Sequence, residues 1–152
     1  MAVDSIEREV LIEAPVETVW SIVTEPEHIV RWFADYVEVD LRPGGELLLR
    51  FGESMTGKGT VEKVERPNLF SFRWVSPEPG RDMAAAEGHF TLVEFLLSAQ
   101  GEGTLLRVVE SGFAGLEGTE EENAVLAERH TGGWGTFLGK LAELASTADV
   151  SA

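Results

Sequence analysis

Apolar residues recur at two different spacings along the chain, and the changes of spacing divide it into elements. Over residues 5–13, Ile6, Val10 and Ile12 alternate with charge near the end, which predicts a half-buried strand. Pro15 follows, a residue favoured in a helix's first turn. Val16, Val19, Trp20 and Val23 then fall at i, i+3, i+4 and i+7, one apolar face of a short helix. Thr24 and Glu27 have capping-box spacing with Pro26 between them, so a second short helix is expected, with Ile29, Trp32 and Phe33 as its apolar face.

From Tyr36 the period becomes two. Residues 36–41 read as a strand, and Pro43-Gly44-Gly45 as a turn. Leu47, Leu49 and Phe51 share a face of the next strand, and residues 52–59 read as a polar turn. Val61 and Val64 mark another strand, Arg66-Pro67-Asn68 a turn, and Phe70, Phe72 and Trp74 one face of the strand after it. Residues 76–88, with two prolines and two glycines, read as a loop. Val93, Phe95 and Leu97 line one further strand, and Leu106, Val108 and Glu110 its partner after a turn at 100–103. Short turns between strands of this length predict an antiparallel meander. After an acidic connection at 112–122, Leu126, Trp134, Phe137, Leu138, Leu141, Leu144 and Ala145 fit a long helical stripe, and residues 148–152 are expected to fray.

Composition narrows the class. A chain of 152 residues with 43% apolar content suits a single domain, here 1–152 with an ordered core of about 5–146. Without cysteine it has no disulfide and no thiolate chemistry, which fits a reducing, cytoplasmic setting. The first residues carry no basic and apolar leader pattern, and the longest nearly apolar stretch is too short to span a bilayer, so no membrane insertion is expected. A net charge of −15 repels phosphate backbones and anionic headgroups, which argues against nucleic acid as a partner.

Six local patterns in this order carry a family resemblance: Ala14-Pro15-Val16-Glu17-Thr18-Val19-Trp20, Arg31-Trp32-Phe33, Arg42-Pro43-Gly44-Gly45, Gly103-Thr104-Leu105-Leu106, Glu110-Ser111-Gly112-Phe113 and Gly132-Gly133-Trp134. Together they resemble bacterial proteins related to the C-terminal domain of the heat-shock-protein-90 ATPase activator, in the START-like (SRPBCC) superfamily that also holds polyketide cyclases and the birch-pollen allergen. The resemblance covers roughly residues 5–146. It implies an α+β helix-grip fold: a curved antiparallel sheet wrapped around a long C-terminal helix, with two short helices after the first strand. In such relatives the gap between sheet and helix binds apolar molecules. Glu110 stands where the motif often has His. The activator's separate N-terminal domain has no counterpart in these residues, which argues against a chaperone partner.

The candidate chemistry follows from both readings. Trp32, Phe33, Phe51, Phe72, Trp74, Trp134 and Phe137 fall on the faces assigned inward, as do Phe95, Leu138 and Leu141. They serve either as core or as the lining of an apolar pocket, and a strongly curved sheet around one helix is hard to fill with a chain of this size. In that gap Trp134 is expected to face Phe72 or Trp74. Gly132, Gly133, Gly135 and Gly139 in the last helix imply close helix–sheet approach or room beside Trp134. Glu110 shares the parity of Leu106 and Val108, so it points inward as a polar anchor or ends its strand in solvent. His28, His89 and His130 are not paired at metal-ligand spacing, so neither metal nor cofactor is expected. Gly57-Lys58-Gly59-Thr60 lacks the spacing of a phosphate loop, and no Gly-x-Ser-x-Gly elbow is present. The expected function is non-enzymatic binding of a small apolar or amphipathic molecule between sheet and helix. The rivals are a polyketide cyclase- or aromatase-like enzyme and a stress-related co-chaperone. Oligomeric state is not legible, and a homodimer stays open.

Overall fold

The computed structural model describes residues 4–52, 55–75, 90–115 and 119–146. In chain order the elements are β1 (Ser5–Ile12), α1 (Val16–Thr24), α2 (Pro26–Ile29), β2 (Tyr36–Val39), β3 (Glu46–Phe51), β4 (Met55–Glu65), β5 (Leu69–Val75), β6 (Thr91–Gln100), β7 (Gly103–Ser111), a 3-10 turn (Phe113–Gly115) and α3 (Glu120–Ala145). The strands form one antiparallel sheet in the order β1-β7-β6-β5-β4-β3-β2, curved around α3. This is the α+β helix-grip arrangement expected from the sequence. Among the described residues, no helix is long and apolar enough to cross a membrane.

Alternation does most of the work in the sheet. Phe70, Phe72 and Trp74 of β5, Val93, Phe95 and Leu97 of β6, and Leu106, Val108 and Glu110 of β7 are all buried on the concave face. The register pairs Phe95 with both Phe70 and Val108, and Val93 with both Phe72 and Glu110. Each fully buried aliphatic or aromatic side chain contributes roughly 1.5–3 kcal/mol. A one-residue slip would therefore turn the whole row to solvent. α1 buries Val19, Trp20, Ile22 and Val23 against this row, and α3 buries Trp134, Leu138 and Leu141. Closer to the start of α3, Leu126 and Ala127 pack on Phe113 in a separate cluster. Gly112, at φ +103°, turns the chain out of β7 so that Phe113 can reach that place.

The structure corrects several expected boundaries. The turn expected at 52–59 is in its described part mostly strand: β4 begins at Met55, and Leu47 and Leu49 pair with Gly59 and Gly57. Glycines disguised this strand. At Gly59 a Cβ would collide with the Arg73 carbonyl oxygen and crowd the Cβ of Trp74, so the position takes no side chain. The capping box expected at Thr24 and Glu27 does not form. Thr24 Oγ1 instead donates to the Trp20 carbonyl oxygen at 2.7 Å, and Glu25 caps α2 without a side-chain bond. Trp32 and Phe33 lie beyond α2, which ends at Ile29. β2 stops at Val39 rather than 41, because Asp40 opens a turn in which Arg42 N–H donates to its carbonyl oxygen at 2.8 Å. The loop expected at 76–88 and the tail at 148–152 lie outside the described residues.

A capping box does form at the start of α3. Thr119 Oγ1 accepts from the Glu122 N–H at 3.0 Å, and Glu122 Oε1 accepts from the Thr119 N–H at 2.8 Å. Thr119→Ala should lower unfolding free energy by about 1 kcal/mol in urea titrations. A change within error would mean that tertiary packing alone fixes the start of this helix.

Candidate functional site

β7 carries Glu110 to its penultimate position, β5 carries Trp74, and β6 opens with Thr91. α3 lies across them and presents His130 and Trp134, one turn apart and therefore on one face. Four of these five side chains converge on the carboxylate of the fifth, Glu110. Glu110 Oε2 accepts from Trp74 Nε1 at 3.0 Å and from Thr91 Oγ1 at 2.6 Å. Its Oε1 accepts from Trp134 Nε1 at 2.9 Å and pairs with His130 Nδ1 at 2.7 Å. An ionised carboxylate only accepts, so Nδ1 carries the proton. Four donors fill the four lone-pair directions of a side chain with 0% exposure.

The electrostatics follow from this saturation. Burial pushes the Glu110 carboxyl up. The hydrogen bond and positive charge of His130, with the donors Thr91 and Trp134, outweigh burial and hold it below the ordinary carboxylate range. The inward register expected for Glu110 therefore holds, and the charge is met by pairing rather than by neutralisation. Elsewhere Arg73–Glu62 at 2.8 Å and Arg66–Glu17 at 3.1 Å are largely exposed pairs of the kind worth about 0–1 kcal/mol.

Around this centre stand the expected site residues. Trp32, Phe33, Phe72, Trp74, Phe95, Glu110, Trp134, Leu138 and Leu141 are buried, and Phe51 and Phe137 are half-buried against them. Phe33 is the hub. Its ring stacks on Trp134 at 5.3 Å and Trp32 at 5.2 Å, and meets Phe51 and Phe137 edge-on at 5.4 and 5.0 Å. Trp134 also faces Trp74 at 6.5 Å and Phe95 at 5.6 Å. The cluster thus runs from the buried carboxylate to a rim at Phe51 and Phe137.

Toward the short helices the space inside the curved sheet is nearly closed. The void lined by Val23, Trp32, Phe33, Phe72 and Phe95 measures about 10 Å³, room for about one water molecule. Ring-to-ring contact between Trp32, Phe72 and Phe95 fills that part of the interior. An open groove of about 880 Å³ lies elsewhere, between Leu11–Val16 and the hairpin Ala99–Gly103, apart from the expected site. The glycines of α3 also depart from expectation. A Cβ at Gly135 would meet the Arg8 guanidinium, whereas nothing lies within 4 Å of one at Gly132, Gly133 or Gly139. Close approach explains one glycine of the four.

Sequence reasoning missed His130 and Thr91 as partners of Glu110. Thr91 shares the parity of Val93 and Phe95, and His130 precedes Trp134 by four residues, so both signals were present. His89 lies outside the described residues. His28 joins Glu25 and Glu27 with ligand atoms within 4.8 Å of one another, a grouping unseen from spacing alone. Its carboxylates are partly or wholly solvated at the start of α2, where acidic side chains are favoured without an ion.

Comparison with known proteins places these features in context. Residues 13–146 match the family model described as activator of Hsp90 ATPase homolog 1-like protein. No curated protein matches the chain significantly. Among solved structures, DynU16 of the dynemicin biosynthetic locus is 27% identical, with a TM-score of 0.72 over 95% of this chain and 48% of that one. The chain thus spans about half the length of DynU16. CalU16 from Micromonospora echinospora is 29% identical, with a TM-score of 0.67 over 93% of this chain and 76% of that one. PFC0360w, an HSP90 activator from Plasmodium falciparum, is 22% identical, with a TM-score of 0.70 over 93% and 96%. At that identity the likeness is one of fold.

Two outcomes follow from the carboxylate. Glu110→Gln turns one acceptor into a donor facing other donors, and should lower unfolding free energy by roughly 3–5 kcal/mol. Because the folded carboxyl titrates below its ordinary value, its contribution is full above about pH 4.5 and is lost as pH falls through the folded value. Urea midpoints measured from pH 7 to pH 3 should drop more steeply for the wild type than for Glu110→Gln. Parallel curves would contradict the pairing. Trp134→Ala should remove roughly 3–5 kcal/mol by leaving a cavity under α3, also read in urea.

Proposed function

The chain belongs to the family of activator of Hsp90 ATPase homolog 1-like proteins, and from that we propose that it binds a small apolar or amphipathic molecule between the sheet and α3. The observation that carries the reading is the continuous aromatic cluster around Phe33, which reaches solvent at the half-buried Phe51 and Phe137. Aromatic walls with a few polar groups are the usual lining of small-ligand sites. Their ring faces offer stacking to a flat ligand, and the polar centre at Glu110 fixes one end of the wall. A ligand there would replace ring-to-ring contacts around Phe33 with ring-to-ligand contacts.

A second reading is enzymatic, a polyketide cyclase- or aromatase-like activity. What favours it is the carboxylate–imidazole pair of Glu110 and His130 at 2.7 Å, a pairing that orients an imidazole for proton transfer. DynU16 comes from the dynemicin biosynthetic locus, which suits a role in handling a small molecule under either reading. Binding is preferred because the four donors leave the Glu110 carboxylate with no further acceptor site.

Titration with the neutral probe N-phenyl-1-naphthylamine tests the binding reading. Saturable one-to-one binding is expected, with indole quenching. Trp134→Ala should weaken it about ten-fold or more. Phe90→Ala should leave it unchanged, since that ring is 37% exposed with the Arg73 guanidinium over it. Absence of saturable binding, or equal losses in both variants, would defeat the proposal.

A further inference from the structure

We propose that the middle of α3, residues 130–139, is the door of this interior: its bonds to Glu110 latch it, and its glycines let it open. The inference rests on the binding reading above, and it starts from the rings packed beneath α3. Trp134 of α3 meets Phe33, Phe95 and Trp74 at ring-centroid distances of 5.3, 5.6 and 6.5 Å, so a ligand reaches the faces these rings share only if one of their elements moves.

The strands under the cluster are poor candidates for movement. β5, β6 and β7 are each hydrogen-bonded on both sides. α1 buries six of its nine residues. α3 differs along its length. Its start is fixed by the Thr119–Glu122 box and by Leu126 and Ala127 on Phe113. Its end is fixed by the buried Leu141, Leu144 and Ala145. Between these anchors, only Trp134 and Leu138 of residues 130–139 are buried.

That same stretch holds glycines that packing does not require. Gly132, Gly133 and Gly139 have open space where a Cβ would stand, and none has a positive φ. Each weakens a helix about five-fold against Ala, so together they favour local opening by on the order of a hundred-fold. Trp134 sits among them as the roof over Phe33, Trp74 and Phe95. Lifting it exposes the rings that would receive a ligand. The resistance to lifting is local too: the stretch reaches Glu110 through His130 Nδ1 and Trp134 Nε1. Trp74 and Thr91 remain on the carboxylate when the door opens, so the charge keeps partners throughout.

Amide hydrogen exchange on the ligand-free chain tests the door. In the wild type, amides of 132–139 should exchange many-fold faster than those of 140–145. In the triple variant G132A/G133A/G139A that excess should fall on the order of a hundred-fold. Equal rates for the two stretches in the wild type, or no slowing in the variant, would overturn the proposal. Stopped-flow mixing with N-phenyl-1-naphthylamine gives the second arm. Uptake by the triple variant should slow by a similar factor, and unchanged uptake despite slowed exchange would also overturn the door. A wild type that never takes up the probe would defeat the binding reading, while the door would still stand or fall by the exchange rates.

Discussion

The Glu110 carboxylate joins the two layers of this molecule. Its oxygens take hydrogen bonds from β5, β6 and α3 at once, so the position of the helix over the sheet is set by one charge. Such a group is expensive to bury and dangerous to leave half satisfied. Here the full set of four donors makes it an anchor. Removing a partner would leave the buried carboxylate short of a donor in an apolar interior, which is why the arrangement fixes geometry as well as contributing stability.

Everything near the candidate site depends on that anchor. With Trp134 held by its N–H, the indole plane is fixed, and Phe33 can stack on it at 5.3 Å. Phe51 and Phe137 then close over the Phe33 edge. Aromatic rings in these offset and edge-on contacts are each worth about 0.5–1.5 kcal/mol beyond their buried area. The packed rings therefore represent a favourable resting state, and ligand entry has to compete with it. The middle of α3 supplies the weak place at which such competition is least costly.

The fold was legible because alternation and helical spacing are decided by burial, and burial is nearly complete here. Phe70, Phe72 and Trp74, or Val93, Phe95 and Leu97, admit one inward face. The β4 boundary was not legible, since Gly57 and Gly59 look like turn residues until β5 is known to crowd Gly59. The Thr24–Glu27 spacing misled because Thr24 turns back on Trp20. At the site, parity alone placed Glu110 inward. Parity and helical spacing likewise put Thr91 and His130 on inward faces, but the pairing of His130 with Glu110 depends on the offset of α3 over the sheet, which no local pattern encodes. The ring packing was hidden for the same reason: ring-to-ring fit is a property of three-dimensional packing, while the sequence shows only which faces are apolar.

The central claim, that one ionised carboxylate holds α3 on the sheet, is tested most directly by the indole N–H signals in proton NMR. Trp74 and Trp134 donate to Glu110, while Trp32 donates to the Ile22 carbonyl oxygen at 2.9 Å and serves as an internal control. The account predicts that the Trp74 and Trp134 signals are protected from solvent exchange at neutral pH. It predicts that on acidification they shift together, with one midpoint below the ordinary carboxylate range, while Trp32 stays still. Separate midpoints, or rapid exchange of either indole at neutral pH, would contradict it.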